Sequence, residues 1–410
     1  MSASDTHRAV DAVWRMESAR IVGALTRLVR DIGLAEELAQ DALVAALEQW
    51  PESGVPPNPG AWLMTIAKRR AVDRIRRANT LKRKQDELGR IEPPRDELEP
   101  DDVGDDVLRL MFMAYHPVLS EQARVALTLR LVGGLTTGEI ARAYLVAEPT
   151  IAQRIVRAKR LLAKNNVPFE VPSGEQLAPR MASVLEVVYL IFNEGYAATA
   201  GRDWMRPALC EEALRLGRIL AALAPKEAEA HGLVALMEIQ TSRSRARTGR
   251  DGEPILLMDQ NRALWDRLLI RRGLAALERA EELGGLRGPY TVQAAIAACH
   301  ARAVAPQDTD WARIAALYDV LARLTPSPVV ELNRAVAISR ASGPEPALDL
   351  VDRLAHEPSL REYHLLPSVR GDLLAQLGRR TEARAEFERA AALTHNARER
   401  EVLLKRAADS

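Results

Sequence analysis

The chain has 410 residues, 57 of them basic and 56 acidic, for a formal net charge of +1. Apolar residues make up 47% and aromatic residues 4%, so the core must come mainly from Leu, Ala, Val and Ile, a composition that favours helices over sheets. Two distant cysteines, Cys210 and Cys299, exclude a disulfide framework and any Cys/His zinc spacing, and a global charge near zero argues against a nucleic-acid binder until its distribution is known.

Residues 1–14 contain no apolar stretch of the kind a signal peptide needs. The longest nearly apolar run, 184–192, is too short for a bilayer and contains Glu186. These features predict a cytoplasmic protein with no membrane partner. The first clear helix covers 34–50. Leu34, Leu38, Ala42, Ala46 and Trp50 form one i,i+4 row, and Ala35, Ala39, Leu43 and Leu47 the adjacent one. Glu37, Gln40, Asp41 and Glu48 fall on the opposite face. Pro51 is expected to stop this helix. After the turn at 55–60 (VPPNPG), a second helix is expected from Ala61 to about Ala78. Residues 81–106 read as an acidic, Pro-rich linker. It starts basic and ends with seven acids between Asp96 and Asp106 and no base among them.

The near-zero sum hides two basic segments. Residues 68–84 carry nine bases (Lys68, Arg69, Arg70, Arg74, Arg76, Arg77, Lys82, Arg83, Lys84) against Asp73 alone, a net of +8. Residues 154–164 carry Arg154, Arg157, Lys159, Arg160 and Lys164 with no acid, a net of +5. Such helices can neutralise phosphates.

Residues 135–164 read as a helix-turn-helix. Thr136 or Thr137 caps the first helix, with Glu139 near its third position, and Ile140, Ala141 and Tyr144 supply its inner face. A turn at 146–149 leads to a second helix, where Thr150 offers a hydroxyl at the start. Ile151 and Ile155 point inward, while Gln153, Arg154 and Arg157 point out. Ala141 and Ile151 stand ten residues apart, as close packing of the two helices needs. Leu145 occupies the turn position usually held by Gly.

A second break falls at 165–174, and the rest reads as helix with Pro and Gly punctuation. Gly371, Gly378, Ala383, Phe387 and Ala390 have the spacing of the small and aromatic residues of a tetratricopeptide repeat. Ala347 lies 36 residues before Ala383, and Ala312 lies 35 before Ala347. A generic antiparallel helical array is the other reading, and both give a helical extension. No GxSxG, P-loop, HExxH or GxGxxG is present, so neither an enzyme nor a cofactor is expected. His116, His231, His300, His356 and His364 are scattered and read as structural.

Taken together, residues 1–168 resemble an extracytoplasmic-function (ECF) sigma factor. The stretch AEELAQDALVAALEQW is similar to region 2.1–2.2, and NPGAWLMTIAKRRAVDRIRR to regions 2.3–2.4, with Trp62, Leu63, Ile66, Ala67, Asp73, Arg76 and Arg77 in pattern. Arg70 stands where many members carry Asn. The segment 119–164 is similar to region 4. The remainder is similar to the ECF group with a long C-terminal extension, through YLIFNEGYAATAG, LCEEALRLGRIL and HGLVALMEIQTSRSRARTGRDGEPILLMDQNRALWDR. Read from the residues alone, Asn193-Glu194-Gly195-Tyr196 marks a helix ending at Gly195.

The resemblance implies an all-α chain with region 2 at 1–80, the linker at 81–106, region 4 at 107–168 and a repeat extension at 169–410. It implies core RNA polymerase (β′ and β subunits) and promoter DNA as partners, and regulation by the extension, whose repeat surface is expected to bind a protein or ligand partner or to pack on the sigma domains. Glu37, Gln40 and Asp41 would dock on polymerase. Lys68, Arg69, Arg70, Arg74, Arg76 and Arg77 would hold the −10 element. At the −35 element, Gln153, Arg154 and Arg157 would read base edges while Thr150, Lys159 and Arg160 hold phosphates. Trp62 reads as a core residue rather than a stacking platform. The competing reading is a helix-turn-helix regulator on a helical-repeat scaffold that binds DNA independently of polymerase.

Overall fold

The computed structural model describes residues 3–85, 102–144, 146–197, 205–249 and 254–410. The described residues are helical throughout, with no strand and one isolated bridge between Thr248 and Pro254. The chain divides into two compact units, 1–188 and 189–410.

The first unit opens with α1 (Ala3–Val29), α2 (Ile32–Ser53) and α3 (Pro59–Gln85), followed by α4 (Asp102–Ala114). The apolar stripe of α2 is buried as its spacing predicts: Leu38, Ala39, Ala42, Ala46 and Trp50 are at most 5% exposed. The Asp31 carboxylate caps α2 by accepting from the Leu34 N–H at 2.8 Å. Pro51 does not stop the helix. It sits within the last turn, and the end comes three residues later at Gly54, whose φ of +81° only glycine adopts freely. Trp62 is half-buried and meets Trp50 edge-to-face at 5.5 Å, so it caps the core rather than filling it.

The helix expected to end near Ala78 continues to Gln85, and the next begins at Asp102. Both invade the segment read as linker, most of which lies outside the described residues. Asp106, counted with the linker acids, is instead fully buried, paired with Arg27 at 3.3 Å and Arg109 at 2.9 Å. Gly23 of α1 admits this approach, since a Cβ there would lie 2.9 Å from the Asp106 carbonyl oxygen.

The rest of this unit is α5 (Glu121–Leu131), α6 (Thr137–Tyr144), α7 (Glu148–Lys164) and the start of α8 (Leu177–Tyr196). Gly195 does not terminate α8. It lies inside the final turn, where a Cβ would meet the Cys210 backbone nitrogen at 2.6 Å. The glycine serves close helix packing, not a cap.

The second unit comprises α9 (Pro207–Leu223), α10 (Ala228–Thr241), α11 (Arg267–Glu282), α12 (Pro289–Arg302), α13 (Trp311–Leu324), α14 (Pro328–Ser342), α15 (Pro344–Leu354), α16 (Leu365–Gln376), α17 (Arg380–Leu393) and α18 (Ala397–Asp409). From α12 onward each helix packs on the next, the contact pattern of a helical repeat. Gly378 makes the tight α16–α17 turn at φ +76°. Gly371 packs face-on to Phe387, and Ala383, Phe387 and Ala390 are at most 1% exposed. Ala347 is buried in phase with Ala383, but Ala312 is exposed at the start of α13, where Ile314 takes the inner position. The repeat register is therefore shared by the last two pairs and slips by two residues before them. Cys210 and Cys299 are separate buried thiols.

Candidate nucleic-acid interface

Helices α6 and α7 form the helix-turn-helix. Thr136 is the cap: its hydroxyl accepts from the Glu139 N–H at 3.1 Å, and the Glu139 carboxylate accepts from the Thr136 N–H at 2.8 Å. This reciprocal pair satisfies two end donors. Leu145 lies outside the described residues. The second helix starts at Glu148 with Pro149 in its first turn, so Thr150 is the third helical residue, exposed but not the cap. Ile151, Ile155, Ala158 and Leu162 are buried at 4% or less. This seam forces the intervening positions outward. Gln153, Arg157 and Arg160 are exposed and Arg154 is half-exposed.

The same logic orders α3. Leu63, Ala67 and Ala71 are fully buried, which leaves Arg69, Arg74, Arg76 and Arg77 exposed and Arg70 half-exposed along the outer face. Lys68 faces inward by comparison. Burial and the nearby Arg27 guanidinium lower its pKa, against the opposing pull of Asp106. The side chains of Lys82, Arg83 and Lys84 lie outside the description.

On α2, Glu37 and Asp41 are exposed and Gln40 is half-buried. Two of the three are already engaged. Asp41 pairs with Arg70 of α3 at 3.3 Å. Gln40 donates to the carboxylate of Glu36 at 2.7 Å. Glu36, which sequence reasoning passed over, is the centre of the first unit's polar contacts. It is 5% exposed. Its carboxylate accepts from Arg130 Nε of α5 at 2.6 Å and pairs with Lys159 of α7. One buried acid thus ties the candidate polymerase-binding helix to the candidate DNA-reading helix. Lys159, expected on a phosphate, is committed to this pair. A buried charge needs such partners, because unpaired burial is costly. The only sequence signal was an acid at a position inside the apolar stripe.

Among the described residues, no group of three or more His, Cys, Asp or Glu side chains could hold a metal ion. No described helix is long and apolar enough to cross a membrane.

The geometry and the matches agree on a class. Residues 14–80 match sigma-70 region 2, residues 109–162 match sigma-70 region 4, and residues 180–281 match a family of unknown function (DUF6596). A helix-turn-helix behind a four-helix first module, in that order, defines a sigma-70-type transcription initiation factor. The chain is 32% identical to the ECF RNA polymerase sigma factor SigK of Mycolicibacterium vanbaalenii, over 37% of this chain and 79% of that one. It is 27% identical to the probable ECF RNA polymerase sigma factor SigI of Mycobacterium tuberculosis, over 41% of this chain and 59% of that one. The chain belongs to the ECF RNA polymerase sigma factors, with a helical-repeat extension beyond the sigma regions. An uncharacterized protein of Rhizobium meliloti is 45% identical over 92% of this chain and 90% of its own, and so matches the extension as well. Among solved structures, yeast Tom70 aligns over 99% of this chain and 84% of its own at a TM-score of 0.38 and 11% identity.

Proposed function

We propose that the protein binds core RNA polymerase through α2, melts and holds the −10 element along α3, and reads the −35 element with α7. The carrying observation is the outward row Gln153, Arg154, Arg157 and Arg160, projected by a buried Ile/Ala/Leu seam on a helix that follows a capped helix and a short turn. That row supports a reading of α7 as a recognition helix for a major groove. Gln153, Arg154 and Arg157 read base edges; Thr150 and Arg160, with Lys159 once released from Glu36, hold phosphates. On α3, Lys68, Arg69, Arg70, Arg74, Arg76 and Arg77 follow the backbone, with a single displaced strand as substrate. Glu37, Gln40 and Asp41 meet the β′ subunit, and other sigma surfaces meet β. The extension modulates these steps by binding a partner or ligand of its own.

Arg154→Ala and Arg157→Ala should each weaken −35 recognition by roughly 1–3 kcal/mol and relax discrimination at one promoter position. Run-off transcription with core polymerase on a set of −35 variants reads this. Unchanged discrimination in both variants would remove α7 from the interface. Ending the chain at residue 188 tests the extension: transcription identical to the full chain, in vitro and in cells, would contradict a modulating role. Footprinting separates the runner-up reading, because a sigma factor protects its promoter only together with core enzyme.

A further inference from the structure

The second unit holds a cavity of about 260 Å³ walled by α8, α10, α12 and α13 and by Leu257. Its aromatic and apolar lining includes Tyr189, Phe192, Tyr196, Tyr318, Leu236 and Ile296. The polar lining residues are Asn193, Gln240, Arg243, Gln293 and His300. Arg243 donates to the Tyr196 hydroxyl and to Gln240, which fixes its guanidinium at the cavity wall. Its buried Nε has no hydrogen-bond partner, nor does Nδ1 of His300, a lining residue that is 8% exposed. No lining residue is acidic, and no carboxylate among the described residues pairs with Arg243.

The surroundings reinforce the positive sign. Arg247 lies over the Tyr196 ring at 3.5 Å. Arg262 stacks on Trp265 at 4.9 Å and donates to the carbonyl oxygens of His300 and Ala303, both at 2.7 Å. A buried guanidinium such as Arg243, with no carboxylate partner and an orphaned Nε, costs stability unless an anion completes it. Burial and the Arg243 and Arg262 charges push the His300 pKa down to about 4, so the imidazole is neutral at pH 7 and adds a hydrogen-bonding group without a second local charge.

We infer that this cavity binds a small aromatic monocarboxylate, its carboxylate on Arg243 and His300 and its ring against the aromatic and apolar lining. With Nη2 donating to Tyr196 and Gln240, the guanidinium keeps its other donors for a charge-assisted hydrogen bond to a carboxylate. Arg243 is the one cationic side chain in the lining, which suits a monoanion better than a phosphate dianion. The volume lies just under the range of about 300–1,000 Å³ usual for drug-sized ligands, which suits one ring with one acid. Eight lining residues, Arg243 included, lie in the segment matching the family of unknown function, while those on α12 and α13, His300 and Tyr318 among them, lie beyond it. The claim concerns the second unit alone and stands whether or not the promoter assignments hold.

The test uses the full chain and ligand-observed fluorine NMR with 4-fluorobenzoate, with 4-fluorobenzamide as the neutral isostere and inorganic phosphate as competitor. The expected result is saturable binding of 4-fluorobenzoate, with 4-fluorobenzamide and phosphate at least about tenfold weaker, the worth of one charge-assisted hydrogen bond. Arg243→Gln should weaken 4-fluorobenzoate by a similar factor. Ala297→Leu, which leaves the arginine and fills the cavity, should do so as well; cooperative melting by circular dichroism confirms each variant's fold. No saturable binding by the wild type overturns the inference. So does equal binding of the amide, displacement by phosphate at equal concentration, or full retention in a folded variant.

Discussion

Two buried ionisable side chains, Glu36 and His300, show how much a single residue decides here. His300 is held neutral by burial and by Arg243 and Arg262, with a pKa of about 4 against about 6.5 in an unfolded chain. Between those values the unfolded state binds more protons than the native one, so stability rises with pH across that window and falls on acidification. Urea titrations at pH 7 and pH 5 should show a loss of up to about 1.4 kcal/mol per pH unit from this group. His300→Gln should flatten that slope, and an unchanged slope would contradict the assignment. Gly371 acts through space rather than charge. Gly371→Ala places a methyl 2.8 Å from the Phe387 ring, and overpacking of this kind costs roughly 1–3 kcal/mol. Thermal unfolding reads that directly. The residues that name the fold were legible because capping and turn chemistry are local. Thr136 with Glu139 and Gly378 are determined by neighbours within a few positions. Glu36 and His300 were not legible, since their environments come from residues 38 to 123 positions away.

At the scale of elements, amphipathic spacing placed the helices well and their ends less so. The stripe of α2 and the seam of α7 follow a period that depends on the helix alone. Pro51 failed as a stop because a proline in the last turn removes a hydrogen bond the helix still tolerates there. The linker reading failed at Asp106 because two arginines on α1 and α4 neutralise it in the core. Element contacts also set the main buried polar cluster of the first unit. Glu36 on α2 binds Arg130 on α5 and Lys159 on α7. Removing one member of a buried pair costs roughly 3–5 kcal/mol, and the partial exposure of both cations puts Glu36→Gln near the lower end. Hydrogen exchange should then rise across α7 while α3 remains protected. Equal protection in wild type and Glu36→Gln would show that this acid does not hold the two modules together.

For the whole molecule, the +1 net charge conceals its organisation. Residues 1–168 carry 25 bases and 23 acids, and residues 169–410 carry 32 and 33. Exposed bases line the outer faces of α3 and α7, whereas Glu36, Asp41 and Asp106 pair with bases on α1, α3, α4, α5 and α7 of the same unit. A protein built this way presents little net charge to DNA. The two-module sigma architecture needs under half of the chain, and the repeat extension, with its cationic cavity, occupies the rest. Run-off transcription with core polymerase on the promoter upstream of its own gene tests the central claim most directly. The account predicts specific initiation that requires both proteins and is lost in the Arg154→Ala/Arg157→Ala double variant. Promoter-specific binding by the protein without polymerase, and no initiation with it, would contradict the account.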